Sequence, residues 1–278
     1  MEPIFVVGSG RSGTSILLNT IRKTTGLPGH GEGHFYPVVL MLNRAVNEYF
    51  ARRKRQAENP NHMLHHVDAA KFRKAMMEPV RDMYQEFYGS TAFVDKTPGL
   101  DGITAIPLMQ RGFPGMKVVF AKRRGIEVVR SAVKKFPHVD FEGHCQSWAK
   151  CMAAWRVSRA RLQCDFVEID QFEIAQNPEK VVRDLGVVLR LDDEQRAQML
   201  GFFQNDRPQS SGDLNATPKS IDEVEWTAEE IATFREVCGE VMFEFGYSEG
   251  AEYFAAPTED TADAGDDFDD ESADVGAD

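Results

Sequence analysis

Gly8-Ser9-Gly10-Arg11-Ser12-Gly13-Thr14-Ser15 is the stretch on which the reading of this chain turns. Before it runs Pro3-Ile4-Phe5-Val6-Val7, apolar and β-branched, with the character of a buried strand. After it, Ile16, Leu17, Thr20 and Ile21 recur at helical spacing over residues 13–23, and Gly26 stands where a helix would be capped. A glycine loop between a strand and a helix aims free backbone amides at one point and makes an anion site. Three readings compete for it. Gly8, Gly10 and Gly13 satisfy the G-x-G-x-x-G of a dinucleotide loop, with Glu32 near the distance of a ribose-binding acid. Gly8 and Gly13 also have the spacing of a nucleoside-triphosphate P-loop, but Thr14 stands where that loop requires Lys. The third reading is a P-loop relative that keeps the amide cradle and uses Arg11 as its cation.

Residue types separate these readings. An Arg between the second and third glycines is foreign to the close packing of a dinucleotide loop. Without Lys, a kinase-like loop lacks the group that reaches the terminal phosphates. The acid of Phe93-Val94-Asp95 is followed at once by Lys96, which opposes a magnesium ion there. A cationic loop without an obvious magnesium site suits transfer of a group whose charge side chains and amides can meet alone, as in sulfuryl transfer.

Outward from the loop, short apolar runs at 91–94, 117–121 and 165–169 read as further strands. Helices are expected at about 38–55, 69–87, 127–135, 143–162, 179–188, 193–203 and 228–245. Short strands alternating with longer helices give an α/β class: a P-loop-like three-layer fold with a central parallel sheet and helices on both faces. One domain is expected over 1–250, with a helical insertion at about 36–88. The Ser-, Pro- and Asn-rich segment 205–222 reads as a long functional or mobile loop.

Charge sharpens the domain picture. The chain has 278 residues and a formal net charge of -12. Twelve of the 44 Asp and Glu lie between Glu249 and Asp278, a stretch without Lys or Arg, so the remainder equals the 32 Lys and Arg. The body is neutral on balance, which argues against a nucleic-acid-binding surface while leaving room for a small anion site. The stretch 251–278 is expected to be a solvated acidic tail. No run of about 18 apolar residues suggests a membrane span, and Met1-Glu2-Pro3 does not open a signal peptide, so a cytoplasmic protein is expected. The four Cys form no Cys-x-x-Cys pair and read as reduced structural thiols; His62, His65 and His66 read as loop polarity before a zinc cluster.

Two blocks together resemble the sulfotransferase superfamily that uses 3'-phosphoadenosine-5'-phosphosulfate. Arg11-Ser12-Gly13-Thr14-Ser15 is similar to the 5'-phosphosulfate loop of the branch containing bacterial and tyrosylprotein sulfotransferases. Lys117-Val118-Val119-Phe120-Ala121-Lys122-Arg123, followed by Val128-Val129-Arg130-Ser131, resembles the block whose Arg and Ser grip the 3'-phosphate. Asp95-Lys96-Thr97-Pro98 resembles the family's Lys-Ser/Thr-Pro segment, and 237–247 its closing helix. The stretch from Ile169-Asp170-Gln171-Phe172 to Asn177-Pro178-Glu179 is a faint echo of another block, to which no role is given. The likeness spans about residues 3–247. It departs at Arg123-Arg124-Gly125-Ile126, where the family's turn carries a proline and a further basic residue. Arg124 either compensates or is solvated.

The resemblance implies in-line sulfuryl transfer to a hydroxyl or amine, with no metal. The acceptor stays open among a small molecule, a glycan and a peptide. Gly10, Arg11, Ser12, Gly13, Thr14, Ser15, Arg123 and Ser131 are the implied cofactor-binding residues. Such chemistry needs a base for the acceptor proton and cations for developing charge. Arg11 is the leading cation. Glu32, in Gly31-Glu32-Gly33, matches the family's base, with His34 as the alternative and His30 behind it. Lys96 either assists the leaving group, holds the substrate loop, or is a plain surface lysine. Arg207 and Lys219 are candidates to touch the 3'-phosphate. A kinase-like phosphotransferase and a non-catalytic nucleotide-binding module are the competing functions.

Overall fold

The structure, a computed structural model, describes residues 2–205 and 217–256. Four strands, β1 (Ile4–Gly8), β2 (Val94–Lys96), β3 (Lys117–Lys122) and β4 (Phe166–Asp170), form one sheet in the order β2-β1-β3-β4, with every pair parallel. The chain leaves β1 toward β2 on one side and returns to β3 on the other. The crevice beyond the carboxyl end of β1 is thus the switch point at which sheets of this kind place their ligands.

Strand alternation decides the two cores. Phe5, Val7, Val118 and Phe120 face one side, and Ile4, Val6, Val119 and Ala121 the other, all fully buried. Both faces are covered, as a parallel sheet requires.

Twelve helices are present among the described residues. They are α1 (Thr14–Thr25), α2 (Val38–Arg52), the one-turn α3 (Lys54–Ala57), α4 (Ala69–Ala75), α5 (Met77–Tyr88), α6 (Leu100–Met109), α7 (Gly125–Lys135), α8 (Phe141–Arg159), α9 (Gln171–Gln176), α10 (Pro178–Leu189), α11 (Asp193–Asn205) and α12 (Ala228–Glu244). α1, α10 and α11 pack together on the Val6 face, and α6, α7, α8 and α12 on the Phe5 face. Trp148 and Trp155 are core residues, the latter stacked on Phe120 at 4.2 Å.

Several expected elements change. The span 69–87 is two helices that break at Met76, and 38–55 ends its long helix at Arg52. The second strand lies at 94–96, later than 91–94, because Ile4 pairs with Val94. α6 and α9 were not expected. In α6, Gly102 and Pro107 lower helix propensity. Gly102 is required there, because a Cβ would stand 2.3 Å from the Thr97 carbonyl oxygen.

The packed chain also continues past residue 250. Tyr253 is buried, stacks on Phe172 at 4.1 Å and donates its hydroxyl to Asp170 at 2.9 Å. Burying that ring outweighs the polar composition of its neighbours. The rest of the acidic tail, and Arg207, lie outside the described residues.

Candidate active site

The glycine loop crosses the carboxyl end of the sheet. Gly13 takes φ 88° at the start of α1, a conformation that a side chain would strain. No side chain caps α1 and no acid lies in its first turn, so its leading amides are left for a ligand. Arg11 also has positive φ, 69°, and its Nε donates to Ser131 Oγ at 2.9 Å across 120 residues of sequence. The two blocks read separately in the sequence therefore meet. Arg123 joins them from the end of β3, donating through Nη1 to the Arg11 carbonyl at 3.3 Å.

Arg123 Nε is buried without a hydrogen-bond partner. Burial depresses its guanidinium pKa; Tyr253, Glu127 and Asp170 oppose the shift, and Arg11 adds to it. Two cations close together, one with an orphaned donor, beside an uncapped helix start, are suited to an anion.

The turn that aims Arg123 is held from behind. Arg124 is fully buried, so it is neither solvated nor turned to the site. Its guanidinium donates to Glu127, to the Gly250 carbonyl at 2.8 Å and to the Lys219 carbonyl at 2.8 Å. Its backbone N–H donates to the Tyr253 hydroxyl at 2.8 Å. Trp148 Nε1 donates to the Arg123 carbonyl at 3.0 Å. These bonds hold the turn after β3 from behind. Asp170, in the faint echo at 169–179, is their far anchor. It caps Phe172 N–H and accepts from Tyr247 and Tyr253, and burial raises its pKa against those bonds.

The second group of expected residues gathers around Lys96. The loop after α1 runs along the open edge of β2. Val94 N–H donates to the Pro28 carbonyl at 2.8 Å, Gly33 N–H to the Lys96 carbonyl at 2.9 Å, and His34 N–H to Thr97 Oγ1 at 3.0 Å. A Cβ on Gly33 would lie 2.1 Å from Asp95 Oδ2, so only glycine lets the loop lie this close. That seating brings Glu32 Oε1 to 2.9 Å from Lys96 Nζ and Glu32 Oε2 to 2.6 Å from His34 Nε2. Lys96 Nζ also donates to Ser15 Oγ at 2.9 Å, so this lysine is buried between loop and helix and is no surface residue.

Burial pushes the Glu32 pKa up, but the hydrogen bonds and charges of Lys96 and His34 win, and the net shift is downward. Glu32 is an ionised carboxylate at neutral pH. His30 lines the cavity beside Glu32, with its ring 5.0 Å from Phe87.

Beside Glu32 opens a cavity of about 370 Å³. Its walls include Phe35, Tyr84, Phe87 and Tyr88, with Asp95 at the β2 side. Among the described residues no cluster of His, Cys, Asp and Glu could hold a metal ion. His65 and His66 bond backbone carbonyls instead. No helix among the described residues is long and apolar enough to cross a membrane.

The sequence matches the family described as "Sulfotransferase family" over residues 3–195. The chain belongs to that family. No curated protein matches it by sequence. Among solved structures, sulfotransferase STF9 from Mycobacterium avium is similar at 16% identity and a TM-score of 0.51, over 90% of this chain and 78% of that one. The sulfotransferase domain of the Synechococcus PCC 7002 olefin synthase is similar at 14% identity and a TM-score of 0.52, over 89% and 95%. At such identities the likeness is one of fold. In this sulfotransferase-family chain both expected residue groups lie at the carboxyl edge of the sheet, one at each side of the α1 start.

Proposed function

We propose that the protein transfers a sulfuryl group from 3'-phosphoadenosine-5'-phosphosulfate to a hydroxyl acceptor. The observation that carries this reading is the meeting of Arg11, Ser131 and Arg123, with an orphaned Arg123 Nε, beside the uncapped start of α1. Arg123 and Ser131 would hold the 3'-phosphate, and the backbone of Gly10, Ser12, Gly13 and Thr14, with Ser15, the 5' end. The bound cofactor supplies the sulfuryl group and a good leaving group.

Glu32 takes the acceptor proton. As the acceptor oxygen forms its new bond to sulfur, the bond from sulfur to the bridging phosphate oxygen breaks, and the charge left on that oxygen needs a cation. That cation is Lys96; its ammonium touching both Glu32 and Ser15 of the cradle supports this reading. Arg11 lies with Ser131, so its share is anion binding as well as charge stabilisation. His34 fixes the second oxygen of Glu32 and leaves the first to Lys96.

Two variants divide the site. Glu32→Gln should keep nucleotide affinity and cut single-turnover transfer from labelled cofactor to a phenolic acceptor by roughly 10²–10⁴-fold. Arg123→Met should weaken the nucleotide. Full transfer by Glu32→Gln with loss in His34→Ala would make His34 the base and contradict the assignment.

A further inference from the structure

Asp95 is 1% exposed and lies at the cavity beside Glu32. Its oxygens accept from Tyr84 Oη and Thr97 Oγ1, each at 3.2 Å, and it makes no ion pair with a Lys or Arg among the described residues. The neighbouring cation cannot serve it. Successive strand residues point to opposite faces. Asp95 pairs in register with Phe5, on the Tyr84 and Phe93 side, whereas Lys96 pairs with Val6 and turns to α1. A buried carboxylate held by two neutral hydroxyls is incompletely compensated. Burial raises its pKa to about 6, against the hydrogen bonds of Thr97 and Tyr84 and the charges of His34 and His30.

Aromatic side chains line the same cavity. Tyr84 and Tyr88 stack on Phe93 at 4.9 and 4.8 Å, so their rings are fixed, and Phe87 forms the more open wall. Aromatic faces attract cations, most strongly where water is excluded. A cavity of about 370 Å³ is of small-molecule size.

We propose that this cavity binds the acceptor through a protonated amine, with the ammonium on Asp95 among the aromatic rings and the accepting hydroxyl turned to Glu32. The acceptor class is a small hydroxylated amine. The carboxylate keeps the nitrogen protonated and hence non-nucleophilic, so sulfuryl transfer goes to oxygen. This inference rests on the sulfuryl-transfer reading above for the role of Glu32.

The test is calorimetric binding at pH 7.5, with and without 3',5'-adenosine bisphosphate, of three phenols of matched shape. They are tyramine, 4-propylphenol and 3-(4-hydroxyphenyl)propionate: cationic, neutral and anionic. Tyramine should bind at least tenfold tighter than 4-propylphenol, and the anion weakest. Asp95→Asn should bring the first two to within about twofold. Equal or reversed affinities in the natural protein, absence of tyramine binding, or an unchanged preference in Asp95→Asn would each overturn the proposal. The ranking in the natural protein stands without the variant, should that fold poorly. Failure of the ranking with selective bisphosphate binding intact would remove the amine site alone. Failure of bisphosphate binding with the ranking intact would remove the sulfuryl-transfer reading, and with it the acceptor role, while leaving the amine site on Asp95.

Discussion

Lys96 and Asp95 are adjacent in sequence and opposite in fate. Lys96 is buried and compensated by Glu32, whereas Asp95 is buried against neutral donors. A carboxyl whose pKa is raised by folding binds its proton more tightly when folded, so it costs stability above that pKa. For Asp95 the cost is present above about pH 6 and is relieved as pH falls toward the ordinary 3.8. Asp95→Asn should therefore raise the melting temperature relative to the natural protein more at pH 8 than at pH 4.5. An equal effect at both pH values would show that the carboxyl is not desolvated. From sequence, Lys96 was legible as a candidate but its burial was not, because one lysine after a strand looks alike on an edge or under a loop. In the sequence Asp95 stands as an acid beside Lys96, in a strand end that opposes magnesium, with no sign of its burial. Its setting depends on Tyr84, eleven residues away, and on Gly33, which no local pattern links to it.

At the level of elements, the strand–loop–helix unit at 3–25 was legible because a continuous apolar, β-branched run and helical spacing are local signals. The turn after β3 was not. Its stability comes from Arg124 reaching carbonyls at Ser248, Gly250 and Glu252, more than 120 residues on. Removing a buried cation leaves Glu127 with an uncompensated charge and those carbonyls without a donor. Arg124→Met should cost about 3–5 kcal/mol in urea unfolding, and the surviving folded protein should bind nucleotide more weakly because Arg123 is no longer aimed. A loss under about 1 kcal/mol would mean that the clamp is a minor feature. α6 escaped the sequence reading for a related reason. Tertiary packing, with Ile103, Ile106 and Met109 fully buried, outweighs the cost of Gly102 and Pro107.

For the whole molecule, a neutral body with its charge surplus near the carboxyl terminus was readable from composition, but the extension of packing past residue 250 was not. Two aromatic residues carry that extension, Tyr247 and Tyr253, both hydrogen-bonded to Asp170. A chain ending at residue 256 should melt at least about 5 °C above one ending at residue 250, since burying an aromatic side chain is worth several kcal/mol. Coincident melting would put the boundary back at 250. The α/β sheet and the two blocks at its carboxyl edge were both expected from the sequence, and their union through Arg11 and Ser131 is the centre of the account. The measurement that tests it most directly is calorimetry of 3',5'-adenosine bisphosphate against AMP without magnesium. Selective binding of the bisphosphate, with the selectivity lost in Arg123→Met, is predicted; equal affinity for the two nucleotides would contradict the assignment of the site.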